Sequence, residues 1–174
     1  QASSSAASDV YKRQDNAADA EVTGLEADIT YAPSAGLTMG AAFSILDSEV
    51  TDTKTPSTDV VEGMDLAYAP KFQGNVWVRY EWAMANGWMG HVMPSISHSA
   101  KSYSDIITIN RMDVPNWTMV NFSAGIASED WMIEAFVTNL TDEQVVTGAN
   151  YVNDRERLAL APPTTLGVRV SFDF

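Results

Sequence analysis

The sequence predicts an all-β fold, an antiparallel meander of about eight long strands. Three observations carry this. Apolar residues recur at every second position through most of the chain, the period of a strand with two unlike faces. The alternating runs are about 9 to 13 residues long, where strands of soluble proteins average about 5–6. Short turns containing Pro or Gly mostly alternate with long polar connections.

The elements follow in order. Leu25, Ala27, Ile29 and Tyr31 alternate with Glu26, Asp28 and Thr30, and Ala32-Pro33-Ser34-Ala35-Gly36 makes a turn. Leu37, Met39, Ala41, Phe43 and Ile45 form the second strand. A polar connection runs from Asp47 to about Val61 and has no packing pattern. Met64, Leu66 and Tyr68 suggest a short third strand, followed by a turn through Pro70 and Gly74. Val76, Val78, Tyr80 and Trp82 share one face of the fourth strand, with Trp77, Arg79 and Glu81 on the other. Asn86-Gly87 suits a type I′ hairpin turn. It leads into a fifth strand from Trp88 to His98 that Pro94 interrupts. A long loop spans Ser99 to Pro115. Val120, Phe122, Ala124 and Ile126 mark the sixth strand, and Ile133, Ala135 and Val137 the seventh, which starts at Trp131. A third long loop covers Thr141 to about Arg157. Leu166, Val168, Val170, Phe172 and Phe174 then alternate with Thr165, Gly167, Arg169, Ser171 and Asp173 in the eighth.

Composition narrows the function. The 174 residues carry Lys+Arg 10 against Asp+Glu 23, a net charge of -13, which excludes a nucleic-acid partner bound through clustered basic residues. Charged residues make up 19%, below the roughly 25% of soluble domains. There is no cysteine, so disulfides, thiolate metal sites and a cysteine nucleophile are excluded. No apolar run is long enough for a membrane-spanning helix. Strands of this length, however, match the roughly 9–11 residues that cross a bilayer at a tilt. Short turns opposite long loops are the asymmetry of outer-membrane barrels. Tyr31, Tyr68, Tyr80, Trp82, Trp88, Trp117, Trp131 and Phe174 are placed to form their interfacial aromatic girdles.

Three segments resemble the C-terminal barrel of TonB-dependent outer-membrane receptors. Asn16-Ala17-Ala18-Asp19-Ala20-Glu21-Val22-Thr23-Gly24-Leu25-Glu26 is similar to a recurrent strand start of that family. Trp131, with Val137-Thr138-Asn139-Leu140-Thr141-Asp142-Glu143, resembles its penultimate strand. Pro163-Thr164-Thr165-Leu166-Gly167-Val168-Arg169 through Phe174 resembles its ending, with Thr164 where the family commonly has Arg. The resemblance implies that residues 15–174 are part of a large, plugged β-barrel whose plug domain is absent from this chain. Residues 1–14 match no strand or helix pattern and are expected to be a disordered or non-native leader.

The implied function is binding and import of a scarce nutrient, foremost a ferric siderophore, with TonB-coupled energy. The implied partners are outer-membrane lipid, a small-molecule substrate and the barrel assembly machinery. The TonB complex would be reached only through the missing N-terminal region. Leu166, Val168, Val170, Phe172 and Phe174 resemble the signal that the assembly machinery reads. The alternatives are an autonomous eight-stranded outer-membrane barrel with a structural or adhesion role, and a soluble sandwich or barrel enzyme.

Few residues suggest chemistry. No phosphate loop, dinucleotide fingerprint or zinc spacing occurs, so no cofactor, metal or catalytic site is expected. His91 and His98 are seven apart and face opposite sides of one strand. Trp77, Arg79 and Glu81 are candidate ligand contacts on the inner wall, against a plain hydrogen-bond network there. Asp47, Asp52, Asp59, Asp105, Asp113, Asp142, Glu143 and Asp154 are expected at solvated loop tips.

Overall fold

The computed structural model describes residues 18–53, 59–152 and 155–172; the expected leader 1–14, Asp154 and Phe174 lie outside them. Strand β1 (Ala18–Ser34) and strand β2 (Leu37–Thr53) are each 17 residues long. They pair from Ala18↔Thr53 to Ser34↔Leu37 around a two-residue turn. At Gly36 the turn has φ 78, and a Cβ there would strike the Glu81 carbonyl, so both conformation and space require glycine.

Strand β3 (Phe72–Ala83) pairs with β2, and strand β4 (Met89–Ser99) with β3. Strand β5 (Ser102–Tyr103) and strand β6 (Asp113–Val114) form a small ladder within the next connection. Strand β7 (Trp117–Ala127) returns beside β4, and strand β8 (Trp131–Thr138) follows it. Strand β9 (Val146–Val152) and strand β10 (Arg155–Leu160) make a separate hairpin. Strand β11 (Thr165–Phe172) ends the main sheet against β8. That sheet has seven strands, ordered β1-β2-β3-β4-β7-β8-β11, all antiparallel.

Several expectations are corrected. Met64, Leu66 and Tyr68 do not form a strand, and β2 pairs directly with β3. Tyr68 has φ 52, which no ladder accommodates. Strand parity gives the deeper reason. A strand there would place two consecutive short turns at opposite ends of the meander; without it, every short turn lies at one end and every long loop at the other. Asp47 to Thr53 is not loop but the outer end of β2, held by pairing with β1. The apolar pattern stops there because that end projects beyond the apolar band: 17 residues extend about 56 Å at ~3.3 Å per residue. Asn86-Gly87 forms no two-residue hairpin turn. Ala85–Gly87 is a single 3-10 turn, closed by the Met84 N–H donating to the Trp88 carbonyl at 2.7 Å. Pro94 leaves β4 intact. Its pairing with β7 is continuous, while the ladder to β3 resumes only at Trp77↔Ser95 and Tyr80↔Val92.

Register sorts the side chains onto two faces. One row runs Leu37↔Tyr80↔Val92↔Ala124↔Ala135↔Val168, wholly apolar apart from the Tyr80 hydroxyl. On this face Leu25, Ile29, Val76, Ile96, Leu166, Val168, Val170 and Phe172 are exposed. At its short-turn end lie Tyr31, Tyr80, Trp82 and Trp131, with the Tyr80 and Trp82 rings stacked at 5.7 Å. Trp88 meets Trp131 edge-on at 4.9 Å. Two aromatics depart from the expected girdle: Trp117 stands opposite Ser99 on the polar face, and Tyr68 belongs to the loops.

Apart from Val137 in β8, the buried apolar residues gather at the long-loop end of the sheet. Val50 and Val145 are 1% exposed, and Val60, Val114 and Ala149 are also buried. Each comes from the outer end of β2 or from a long connection, so the three connections pack together over one end of the sheet instead of standing separately in water.

Candidate functional site

The polar face is the place where a ligand could meet the sheet. Trp77, Arg79 and Glu81 project from it on β3, as the alternation requires. The Trp77 indole lies over Gly40 of β2, where a Cβ would stand 2.5 Å from the ring. Arg79 donates through Nε to Glu81 Oε1 at 2.9 Å, so these two neighbours satisfy each other. Toward the long-loop end, Gln73 donates to Ser99 Oγ at 3.4 Å and Asn75 to Ser97 Oγ at 2.9 Å. With Glu26, Asp28, Ser44 and Trp117 they line an open groove of about 560 Å³.

A second group on the same face carries the most buried charge of the sheet. Glu81, His91, Gly125, Glu134 and Arg169 stand in one row across β3, β4, β7, β8 and β11. His91 Nε2 lies 3.0 Å from Glu134 Oε2, and Arg169 donates to Glu134 Oε1 at 2.7 Å. His91 is 3% exposed and Glu134 7%. The imidazole reaches Glu134 only by crossing β7 at Gly125, where a Cβ would stand 2.6 Å from its ring. Sequence reasoning placed Arg169 on this face but missed its union with His91 and Glu134. A glycine between a histidine and a carboxylate in the flanking strands was the available signal. His98 faces the other way and meets Thr118 Oγ1 at 2.8 Å, so the two histidines share no site.

The loop cluster is tied by side chains. Tyr68 donates its hydroxyl to the Ala149 carbonyl at 2.6 Å and accepts the Ala149 N–H at 3.1 Å. Arg111 donates to the carbonyls of Asp65 and Asp105, and its guanidinium stacks 3.8 Å from the Tyr103 ring centre. Asn139, 1% exposed at φ 52, donates to the carbonyls of Glu143 and Pro162 and accepts the Glu143 N–H. Thr164 donates its hydroxyl to the Asn139 carbonyl at 2.7 Å, and its N–H to Asp142. The Asn139-to-Glu143 motif is therefore a knot at the base of the last long loop.

The loop acids are not all at solvated tips. Asp47 and Asp52 lie in β2 and Asp113 in β6, while Asp105 accepts the Ile107 N–H. Lys71 sits 3.4 Å from Asp65 and 3.6 Å from Asp47, and these carboxylates, Asp65 foremost, raise its ammonium pKa. Among the described residues no group of three or more His, Cys, Asp or Glu is placed to hold a metal ion. The last-strand residues Leu166, Val168, Val170 and Phe172 all lie exposed on the apolar face.

The family described as "TonB dependent receptor-like, beta-barrel" matches residues 1–140. The chain belongs to the TonB-dependent receptor family. Its sheet is part of that family's β-barrel, and its place is the outer membrane of Gram-negative bacteria. The apolar face is thus the lipid side and the polar face the lumen. Solved structures agree on the fold. The ferric yersiniabactin uptake receptor FyuA from Yersinia pestis superposes with a TM-score of 0.79 at 19% identity, over 91% of this chain and 24% of that one. The ferric preacinetobactin receptor BauA from Acinetobacter baumannii gives 0.68 at 22% identity, over 91% and 23%. The siderophore receptor PiuA from Acinetobacter baumannii gives 0.67 at 19%, over 87% and 21%. The chain spans less than a quarter of the length of these receptors. No curated protein is a significant sequence relative.

Proposed function

We propose that this TonB-dependent receptor segment is one wall of a transporter that imports a ferric siderophore with TonB-coupled energy. The observation that carries the reading is the two-faced sheet with a packed loop cluster at one end. An apolar outer face and a polar inner face suit a wall between lipid and an aqueous path. The three structural neighbours, described as a ferric yersiniabactin uptake receptor, a siderophore receptor and a ferric preacinetobactin receptor, favour that cargo. Trp77, with the Arg79–Glu81 pair, is the candidate contact along the path, and TonB would act through parts of the receptor outside this chain. Leu166, Val168, Val170 and Phe172 supply an outward apolar series for the assembly machinery to read, and Phe174 continues it in the sequence.

The autonomous small barrel has less support, because β1 and β11 do not pair with each other among the described residues. The test is uptake of radioactive iron by an iron-starved, receptor-deficient host making the full-length protein, with a panel of ferric siderophores. TonB-dependent uptake of one complex is expected. Growth and uptake indistinguishable from the empty host across the panel would remove the siderophore assignment.

A further inference from the structure

The alternation along β11 leaves its register undetermined. A one-residue slip against β8 would turn Leu166, Val168, Val170 and Phe172 from lipid to lumen and is excluded on that ground. A two-residue slip is different. It keeps every apolar side chain on the lipid side, because the series repeats with the same period. Something other than the apolar pattern must therefore select the observed pairing of Val168 with Ala135 and Arg169 with Glu134.

We propose that His91, Glu134 and Arg169 form a cross-strand clasp that sets the register of the last strand. Glu134 is buried and uses both carboxylate oxygens, one toward His91 on β4 and one toward Arg169 on β11. A two-residue slip that set Val170 against Ala135 would bring Ser171 opposite Glu134 and leave the carboxylate without its guanidinium. A buried charge that loses a partner is strongly disfavoured. The same slip would carry Gly167 away from the Phe136 ring that now covers it and set Arg169 against that ring in its place, although the ring now packs over a glycine. His91 acts at a distance from β11. It holds the orientation of Glu134 across β7, and Gly125 gives its ring the room to do so. The three residues are positioning residues for strand register.

Residues 1–174 contain no cysteine, so engineered pairs report register without background from this segment, and any cysteine elsewhere in the receptor is first replaced by serine. In the full-length receptor, Ala135→Cys with Val168→Cys reads the native register, and Ala135→Cys with Val170→Cys reads the two-residue slip. Oxidative cross-linking is measured on membrane-inserted protein. The native pair is expected to dominate. Arg169→Gln is expected to shift the ratio severalfold toward the slipped pair, and Arg169→Lys to stay near the parent. His91→Phe, which keeps the ring but no donor, is expected to shift it as well, although it never touches β11; His91→Gln, which retains a donor, is expected to restore it. An unchanged ratio in Arg169→Gln overturns the clasp. So does a shift in Arg169→Gln without one in His91→Phe, which would leave only a β8–β11 ion pair. If neither position-169 variant reaches the membrane, positive charge is not what the site requires, and the proposal falls. If His91→Phe fails to insert, His91→Gln must insert with the native ratio, or it falls likewise.

Discussion

Asn139 holds the base of the last outer loop with one side chain and one unusual backbone angle. Its φ of 52 lies in the left-handed region that Asn tolerates better than most residues. Its amide donates to two carbonyls and accepts one N–H, all in a site sealed from water. Asn139→Ala forfeits these bonds at about 1 kcal/mol each and adds left-handed strain, a loss of about 2–4 kcal/mol. Asn139→Gly removes the bonds but keeps the tolerance of the angle, so its urea midpoint is expected between wild type and Asn139→Ala; a midpoint at or below that of Asn139→Ala would show that the backbone angle contributes nothing. At Gly40 the quantity at stake is space. Gly40→Ala pushes a methyl into the Trp77 indole and is expected to cost about 1–3 kcal/mol, the range for overpacking. In a Trp77→Phe background the smaller ring can move aside, so most of that cost is expected to vanish. Equal costs in both backgrounds would mean that the backbone, not the indole, needs the glycine.

At the scale of elements, β11 carries the sharpest contrast between faces. Val168 is 67% exposed on the lipid side, whereas Ser171 points into the lumen. Val168→Arg is expected to cost about 2–4 kcal/mol of folding free energy in lipid vesicles, the range for a cation near the bilayer midplane. Ser171→Arg is expected to be much milder, because water reaches the lumen wall. Equal penalties on the two faces would contradict the assignment of sides. Such membrane strands were legible in the sequence because lipid enforces alternation over their whole span. The sequence was silent where that pressure ends. The outer half of β2 is held by pairing with β1, which leaves no period in the residues. Met64, Leu66 and Tyr68 alternate by accident, and strand parity overrides them. The β9–β10 hairpin was invisible for a related reason, since its contacts are with other loops and not with lipid. The polar-face site was half legible: alternation placed Trp77, Arg79, Glu81 and Arg169 correctly. Which of them pair depends on register, and no single strand encodes that.

The whole molecule joins an open sheet to a packed cap. The cap is held by bonds between loops far apart in sequence, and Tyr68 to Ala149 is the most direct of them. Tyr68→Phe strands the buried amide and carbonyl of Ala149, at about 1–3 kcal/mol for an unsatisfied buried group. Faster amide exchange across Val146–Leu160 with unchanged exchange in β3, β4 and β7 is the expected signature; exchange that rises everywhere would show that cap and sheet unfold together. The sheet poses the larger question. Its two outermost strands, β1 and β11, each offer an unpaired edge among the described residues, one 17 residues long and the other 8. In hydrocarbon every unpaired N–H and C=O costs several kcal/mol, and only closure of a barrel removes both edges at once. Strands so unequal in length can close on each other only along the shorter one, which would leave the outer half of β1 bare. Residues 1–174 refolded alone into lipid vesicles are therefore expected to form edge-paired oligomers or aggregates, and the same residues within the full-length receptor to fold as a monomeric wall. The measurement is the electrophoretic shift on heating, together with protease protection of the strands. A monodisperse, heat-modifiable, protected monomer from the segment alone would show that β1 and β11 do meet. The small-barrel reading would then displace the transporter wall.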